Sequence, residues 1–280
     1  MTKLAVIQMN SVSSVEENLL TAKQLLQEAS QAGAAVAVLP ENFCLMPVND
    51  ADRLAAAEDD DGGPIQDFLS NTARELGIFI IGGTIPIRST VKDKVRSACL
   101  VYNSNGERVA RYDKIHLFDV ELKNGESYRE SDNFDAGRDL KLVNTPVGRA
   151  GLTICYDVRF PEMYRRLLDM GAELFVVPSA FTATTGHAHW ELLLRSRAVE
   201  NLAFVAAPAQ VGKHANGRST YGDSMIVDPW GNILARRKQA DAGVVIADID
   251  STQMQQTRER FPVLSHRRFG TSGKPTMTKD

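Results

Sequence analysis

Cysteine is scarce: Cys44, Cys99 and Cys155 stand far apart and are odd in number. They form no CxxC pair and no zinc spacing, which excludes a disulfide scaffold and points to a reduced, cytoplasmic setting. An excess of one charge is missing as well. Acidic residues number 35 and basic residues 32, a net charge of -3. No global basic field is therefore available to hold nucleic acid or an anionic membrane. Long apolar runs are absent too. The run in the first ten residues is too short for a secretory h-region, and no later stretch is expected to span a bilayer. Neither a G-x-G-x-x-G after a strand, nor a P-loop, nor an H-E-x-x-H pair occurs, which argues against dinucleotide, nucleoside triphosphate and zinc-protease sites. What remains is ordinary globular composition, 43% hydrophobic and 24% charged, in 280 residues. That length can bury a large core.

Apolar runs alternate with amphipathic stretches throughout. Residues 4–8, 34–39, 78–87, 151–154, 174–177, 203–209 and 244–249 read as strands. Residues 16–32, 65–76, 161–170 and 187–201 read as helices, with Gly33, Gly77 and Gly171 as stops. Residues 50–64 read as a surface loop with at most a short helix. Two hairpins share a pattern: one turns at Asn103-Ser104-Asn105-Gly106, the other at Asp228-Pro229-Trp230-Gly231. In both, the turn glycine precedes Ala-Arg by the same distance (Ala110-Arg111 and Ala235-Arg236). Two similar halves would give this, as would shared turn chemistry alone. Strands outnumber helices and few are joined as βαβ units, which favours two sheets covered by helices. With no linker before about residue 251, one domain is expected over 1–280, with 251–280 as a C-terminal tail.

Three polar residues end apolar strands or follow them closely: Glu41, Lys114 and Cys155. Active-site groups gather where a rigid core gives way to loops. A tight elbow between the strand at 151–154 and the helix from Pro161 would expose the Cys155 sulfur. It would also free backbone N–H groups, beginning with Tyr156, to hold an oxyanion. A nearby cation and the positive end of a helix would lower the thiol below its free value of about 8.5. A nucleophilic thiol needs a base. His116 is the best histidine on sequence; His187 and His189 open a helix, His214 sits in a polar loop and His266 in the tail. Glu41 is the carboxylate alternative, if burial and the cysteine raise its pKa toward neutrality. Lys114 would then hold the oxyanion. Taken singly, each residue also fits a duller role: a small buried hydrophobe, a solvated carboxylate, a surface lysine.

Taken together, Leu39-Pro40-Glu41-Asn42-Phe43, Tyr112-Asp113-Lys114-Ile115-His116-Leu117 and Cys155-Tyr156-Asp157-Val158-Arg159-Phe160-Pro161-Glu162 resemble the nitrilase superfamily of carbon–nitrogen hydrolases, in its order of motifs. The resemblance runs over nearly the whole chain, including Val227-Asp228-Pro229-Trp230-Gly231. It implies an α/β fold, a four-layer α-β-β-α sandwich that pairs through helices into a homodimer. It also implies Glu41 as general base, Lys114 as oxyanion stabiliser and Cys155 as nucleophile. A further glutamate follows the lysine in many members. Glu130 matches it, with Glu126 and Glu121 as neighbouring alternatives. The Tyr156 N–H is the implied backbone donor to the oxyanion. Neither metal nor cofactor is expected, because an ammonium and a backbone donor supply the electrophilic role. The expected partner is a small-molecule amide, with no nucleic acid and no membrane.

Within that family, the segments 116–120, 188–191, 209–214, 221–225 and 261–268 resemble the branch that acts on deaminated glutathione. The ω-amidases share the catalytic set but fit 209–214 and the tail less well, and carbamoyl hydrolysis is a further alternative. The branch implies a substrate with a 2-oxoglutaryl acyl part and a cysteinylglycine leaving group, hence two carboxylates and a need for cations near the nucleophile. Arg159, four residues after Cys155, is the expected clamp. An ion pair with Glu162 or Asp157 is its alternative fate. Phe181 is assigned to the substrate site alongside it. The dimer is expected on the helices at 161–170 (Met163, Leu167, Met170) and 187–201 (Leu192, Leu193, Val199), helped by the tail.

Overall fold

The computed structural model describes residues 1–122 and 125–269. The chain begins β1 (Thr2–Gln8), α1 (Val15–Gln31), β2 (Ala34–Val38), α2 (Asp50–Ala55), α3 (Pro64–Leu76), β3 (Phe79–Arg88), β4 (Val95–Tyr102), β5 (Arg108–Asp113). A short hairpin of β6 (Asp119–Glu121) and β7 (Ser127–Arg129) and a 3-10 turn at Glu130–Asp132 follow. Then come β8 (Leu142–Thr145), β9 (Gly148–Leu152), α4 (Pro161–Asp169), β10 (Leu174–Val176), α5 (Ala183–Asn201) and β11 (Phe204–Ala207). A second short hairpin, β12 (Val211–Lys213) with β13 (Ser219–Tyr221), precedes β14 (Ser224–Val227), β15 (Ile233–Arg237), β16 (Gly243–Ile249) and α6 (Ser251–Arg260).

Local chemistry sets the ends of these helices. The Ser14 side chain accepts from the Glu17 N–H and starts α1, whose Ala22, Leu25, Leu26 and Ala29 share the buried face. Pro64 opens α3, and Gly77, at φ 66°, closes it in the left-handed region. Helix α5 starts four residues earlier than the apolar periodicity indicates, because the Thr182 side chain caps the Thr185 N–H.

Among the described residues the strands form two six-stranded sheets, ordered β16-β1-β2-β3-β4-β5 and β15-β14-β11-β10-β9-β8. In the first, β1, β2 and β3 are parallel, while β16 and the β4–β5 hairpin flank them antiparallel. In the second, β9, β10 and β11 are parallel, with β8 and the β14–β15 hairpin antiparallel at the two sides. The two sheets thus share strand order and direction, differing in that β16 reaches β1 from the far end of the chain whereas β8 directly precedes β9, and the two hairpins that share a turn pattern occupy equivalent places. The register agrees. Leu39, before Pro40, donates to Ile81 O at 2.9 Å, and Val177, before Pro178, donates to Ala206 O at 2.8 Å. Glu41 and Ser179 therefore stand at equivalent positions of the two halves.

Strand alternation feeds two cores. Leu4, Val6, Val36 and Val38 face the second sheet, joining Leu152, Leu174 and Val205 in one cluster. Ala5, Ile7, Ala37 and Leu39 face the other way, onto α1 and α3. Trp190, Leu194 and Ala198 of α5, with Leu167 of α4, cover the outside of the second sheet. The layers run α-β-β-α, as expected. The expected dimer face divides: Met163 and Leu167 are core residues, whereas Leu192 (66% exposed) and Val199 (45%) face outward with Met170. The helical stripe on α4 is spent on the core, which the periodicity by itself does not reveal. No helix among the described residues is long and apolar enough to cross a membrane.

Candidate active site

Glu41, Lys114 and Cys155 come together where the two sheets meet. Glu41 leaves β2 and is 3% exposed, Lys114 follows β5 at 2%, and Cys155 opens the turn after β9 at 6%. Two glycines make room for the first two. A Cβ on Gly83 would lie 2.0 Å from Pro40 O, and one on Gly137 would lie 2.1 Å from Asp113 O. Only a residue without a side chain allows the chain to pass directly behind Glu41 and Lys114. Cys155 itself has φ 46°, a conformation that L-residues rarely adopt and that marks a built elbow. The elbow is fastened by the Cys155 N–H to Pro178 O at 2.9 Å.

The Lys114 ammonium is shared between two carboxylates: Glu41 Oε1 at 2.9 Å and Glu130 Oε2 at 2.8 Å. Glu130 is further held by the Phe118 N–H at 2.9 Å. The other Glu41 oxygen accepts from the Ala180 N–H at 2.7 Å, and the Glu41 carbonyl accepts from Gln210 Nε2 at 3.1 Å. Of the three neighbouring glutamates, Glu130 is the one on Lys114. Glu126 accepts from Tyr128 Oη, and Glu121 lies 4.0 Å from Arg129.

Electrostatics correct two expectations. Burial pushes the Glu41 carboxyl up, but the Lys114 charge and hydrogen bond, with Arg218 behind them, outweigh it and hold the pKa below the ordinary value. Burial, then the Glu41 charge, raise the Cys155 thiol above its usual value despite Lys114. The expected depressed thiol and raised carboxyl are thus reversed. At neutral pH the site holds a carboxylate, an ammonium and a neutral thiol.

The histidines serve elsewhere. His116 Nδ1 lies 2.7 Å from Asp157 Oδ1, and its ring stacks on Phe160 at 3.6 Å. Asp157, fully buried, also accepts from Tyr112 Oη at 2.6 Å, the His116 N–H at 3.1 Å and the Ile154 N–H at 2.8 Å. It therefore ties the Lys114 segment to the Cys155 elbow. His214, expected in a polar loop, is buried, with Nδ1 on Ser11 O and Nε2 on Thr220 Oγ1. Arg159 forms neither ion pair considered for it. Its guanidinium lies 5.2 Å from the Phe181 ring centroid and 6.0 Å from that of Tyr156, with Nη1 3.3 Å from His189 Nδ1. The Tyr156 N–H lies in the first turn of the 3-10 segment Cys155–Arg159, where N–H groups lack an intrahelical acceptor. A narrow pocket beside the thiol is lined by Phe118, Glu130, Tyr156, Phe181, Thr185 and Arg218.

Sequence reasoning missed Arg218 and the Ala180 N–H. The order Asn216-Gly217-Arg218 signals only a turn, and a backbone donor leaves no mark on the sequence. Asp157 and Tyr112 were within reach, because both lie inside the segments that carry Cys155 and Lys114. Among the described residues no group of three or more His, Cys, Asp or Glu is arranged to hold a metal ion.

The carbon–nitrogen hydrolase family profile matches residues 3–259. The chain belongs to this family. Deaminated glutathione amidase of Yersinia enterocolitica is 40% identical over 277 residues, covering 98% of this chain and 96% of its own. The mouse protein of the same name is 42% identical over 279 residues, covering 97% of this chain and 86% of its own. Among solved structures, the C. elegans NitFhit protein superposes with a TM-score of 0.88 at 37% identity, over 95% of this chain; the match spans 65% of that longer protein. As a carbon–nitrogen hydrolase, the chain acts on amides.

Proposed function

We propose that this carbon–nitrogen hydrolase cleaves the amide of deaminated glutathione, releasing 2-oxoglutarate and cysteinylglycine through a thioester on Cys155. The observation that carries the chemistry is Lys114 shared between Glu41 and Glu130 beside a neutral thiol. The substrate is supported by the two relatives of that name, matched over nearly the full chain.

Glu41 takes the thiol proton as the sulfur attacks the amide carbon, and the carbonyl oxygen becomes an oxyanion held by Lys114 and the Tyr156 N–H. Such donors are each worth about a hundred- to a thousandfold in rate. Collapse breaks the C–N bond, and Glu41 passes its proton to the leaving amine. Glu41 then takes a proton from water, whose oxygen attacks the thioester. Collapse of that second intermediate releases the acid and returns the proton to sulfur. Glu130 keeps Lys114 oriented throughout. Arg159 and Phe181 bind the substrate, the guanidinium meeting the 2-oxo-acid end.

The unit of function is one domain over 1–280, with 251–280 as its tail, paired as a homodimer through the outward face of α5. That face carries Leu192 and Val199. Beside them Trp230 and Phe261, 58% and 48% exposed, meet edge-on at 5.5 Å. Three free cysteines suit the reducing cytoplasm. The test is hydrolysis of deaminated glutathione against 2-oxoglutaramate by the purified protein. A higher specificity constant for deaminated glutathione is expected. An equal or higher value for 2-oxoglutaramate replaces this reading with ω-amidase.

A further inference from the structure

We propose that Arg218 is a second carboxylate clamp, which reads the leaving group of the substrate. The proposal rests on the function proposed above and assigns a residue to the half of the substrate that Arg159 does not meet. It starts from the shape of the site. The pocket at Cys155 and a larger outer cleft share two residues, Glu130 and Arg218. Glu41 lines the outer cleft, together with Tyr128, Asn216 and Arg129, whereas Arg159 does not. The leaving nitrogen has to reach Glu41 to collect its proton. The leaving group must therefore extend toward the cleft that Glu41 lines, and Arg218 stands where pocket becomes cleft.

The state of the Arg218 side chain fits an unfilled role. One Nη donates to Ala180 O, in the same residue whose N–H holds Glu41. The guanidinium lies over the Tyr128 ring, 5.3 Å from its centroid. These contacts fix its plane and leave a face of the fork unused. Its Nε is buried with no hydrogen-bond partner, and Arg218 forms no ion pair among the described residues. Other cations of the cleft are engaged: Arg53 with Asp50 at 2.7 Å, and Arg129 with Glu121 at 4.0 Å. A pre-oriented guanidinium with a free Nε matches a carboxylate in two-point fashion, and a buried donor without a partner is relieved when a ligand supplies one. Cysteinylglycine ends in such a carboxylate, and ammonia, the leaving group of 2-oxoglutaramate, does not.

The experiment crosses three enzymes with two substrates: wild type, Arg218→Gln and Arg218→Lys, on deaminated glutathione and on its analogue with the glycine carboxylate converted to a carboxamide. Wild type is expected to prefer the acid by about tenfold to a hundredfold in kcat/KM, chiefly through KM. Arg218→Gln should treat the two alike, to within about twofold, and Arg218→Lys should keep an intermediate preference. A loss common to both substrates, from a weaker hold on Ala180 and Glu41, cancels in the ratio. A wild-type enzyme indifferent to the carboxylate, or an Arg218→Gln enzyme that keeps the wild-type preference, overturns the proposal. If wild type hydrolyses neither compound, the function proposed above falls. The same enzymes, compared on glycine and glycinamide amides of whichever acyl group is turned over, then decide the role of Arg218 separately.

Discussion

The Ala180 N–H donates to Glu41 Oε2 at 2.7 Å. Glu41 is carried by β2 of one sheet and Ala180 follows β10 of the other, so the carboxylate is oriented across the seam of the sandwich. Lys114 grips its second oxygen from β5. With both oxygens engaged, the side chain has little freedom to turn away from Cys155.

The protonation state sets the pH profile. Lys114 outweighs burial and holds Glu41 below the ordinary carboxylate value, while burial holds the thiol neutral. The competent form is thus present throughout the neutral range. On an uncharged amide, kcat/KM should fall only below about pH 4.3, the ordinary glutamate value, as Glu41 protonates. A rate profile with an acid limb near pH 6.5, about the ordinary histidine value, would place a histidine in the role given to Glu41.

Lys114→Ala should lose about a hundred- to a thousandfold in kcat. It should also lose about 3–5 kcal/mol of stability at neutral pH, because Glu41 is left buried without its ammonium. The pH dependence carries the sign. In the wild type Glu41 is depressed, so its contribution is present at neutral pH and fades as pH falls through the depressed value. Without Lys114, burial dominates and raises Glu41, so acid relieves the variant. Urea midpoints at about pH 7 and pH 5 should therefore draw together; a constant gap would mean that Lys114 contributes packing alone.

Cys155→Ala should abolish turnover and keep the fold. Cys44 and Cys99 are fully buried in the core; replacing either with alanine should cost about 1 kcal/mol and leave turnover intact. Acid-quenched wild-type reactions should show the acyl mass on the peptide containing Cys155. Turnover by Cys155→Ala at a rate near wild type would remove it from the nucleophile's role.

Leu192→Asp combined with Val199→Asp places two charges on the outward face of α5. Light scattering should give twice the 30.7 kDa chain mass for the wild type and a single chain mass for the variant. A wild-type protein with a single-chain mass at micromolar concentration would show that this face does not pair.

The fold was legible where sequence pattern and burial coincide. Leu4 to Ile7 alternate between two cores, Gly77 stops α3, and the strand ends that carry Glu41, Lys114 and Cys155 were readable as strand ends. Two kinds of information were not. Met163 and Leu167 share a helical stripe just as Leu192 and Val199 do, yet only the three-dimensional arrangement decides which stripe the core covers. The direction of a pKa shift depends on separations such as the 2.9 Å between Lys114 and Glu41, across 73 positions of chain. From sequence, burial of Glu41 suggested a raised carboxyl; the ammonium beside it decides otherwise.

The chain closes its first sheet with its last strand: β16 pairs with β1 from Thr2↔Ile249 to Gln8↔Gly243. A break in the connection at 133–141 would put Glu41, Lys114 and Glu130 on one piece and Cys155 on the other. The second piece would own the whole second sheet, but the first sheet would be divided: the first piece would lack β16, and the second would carry that strand with no partner strand to pair with. The missing strand is then a built-in adhesive, and amide hydrolysis becomes the signal that two separately made pieces have found each other.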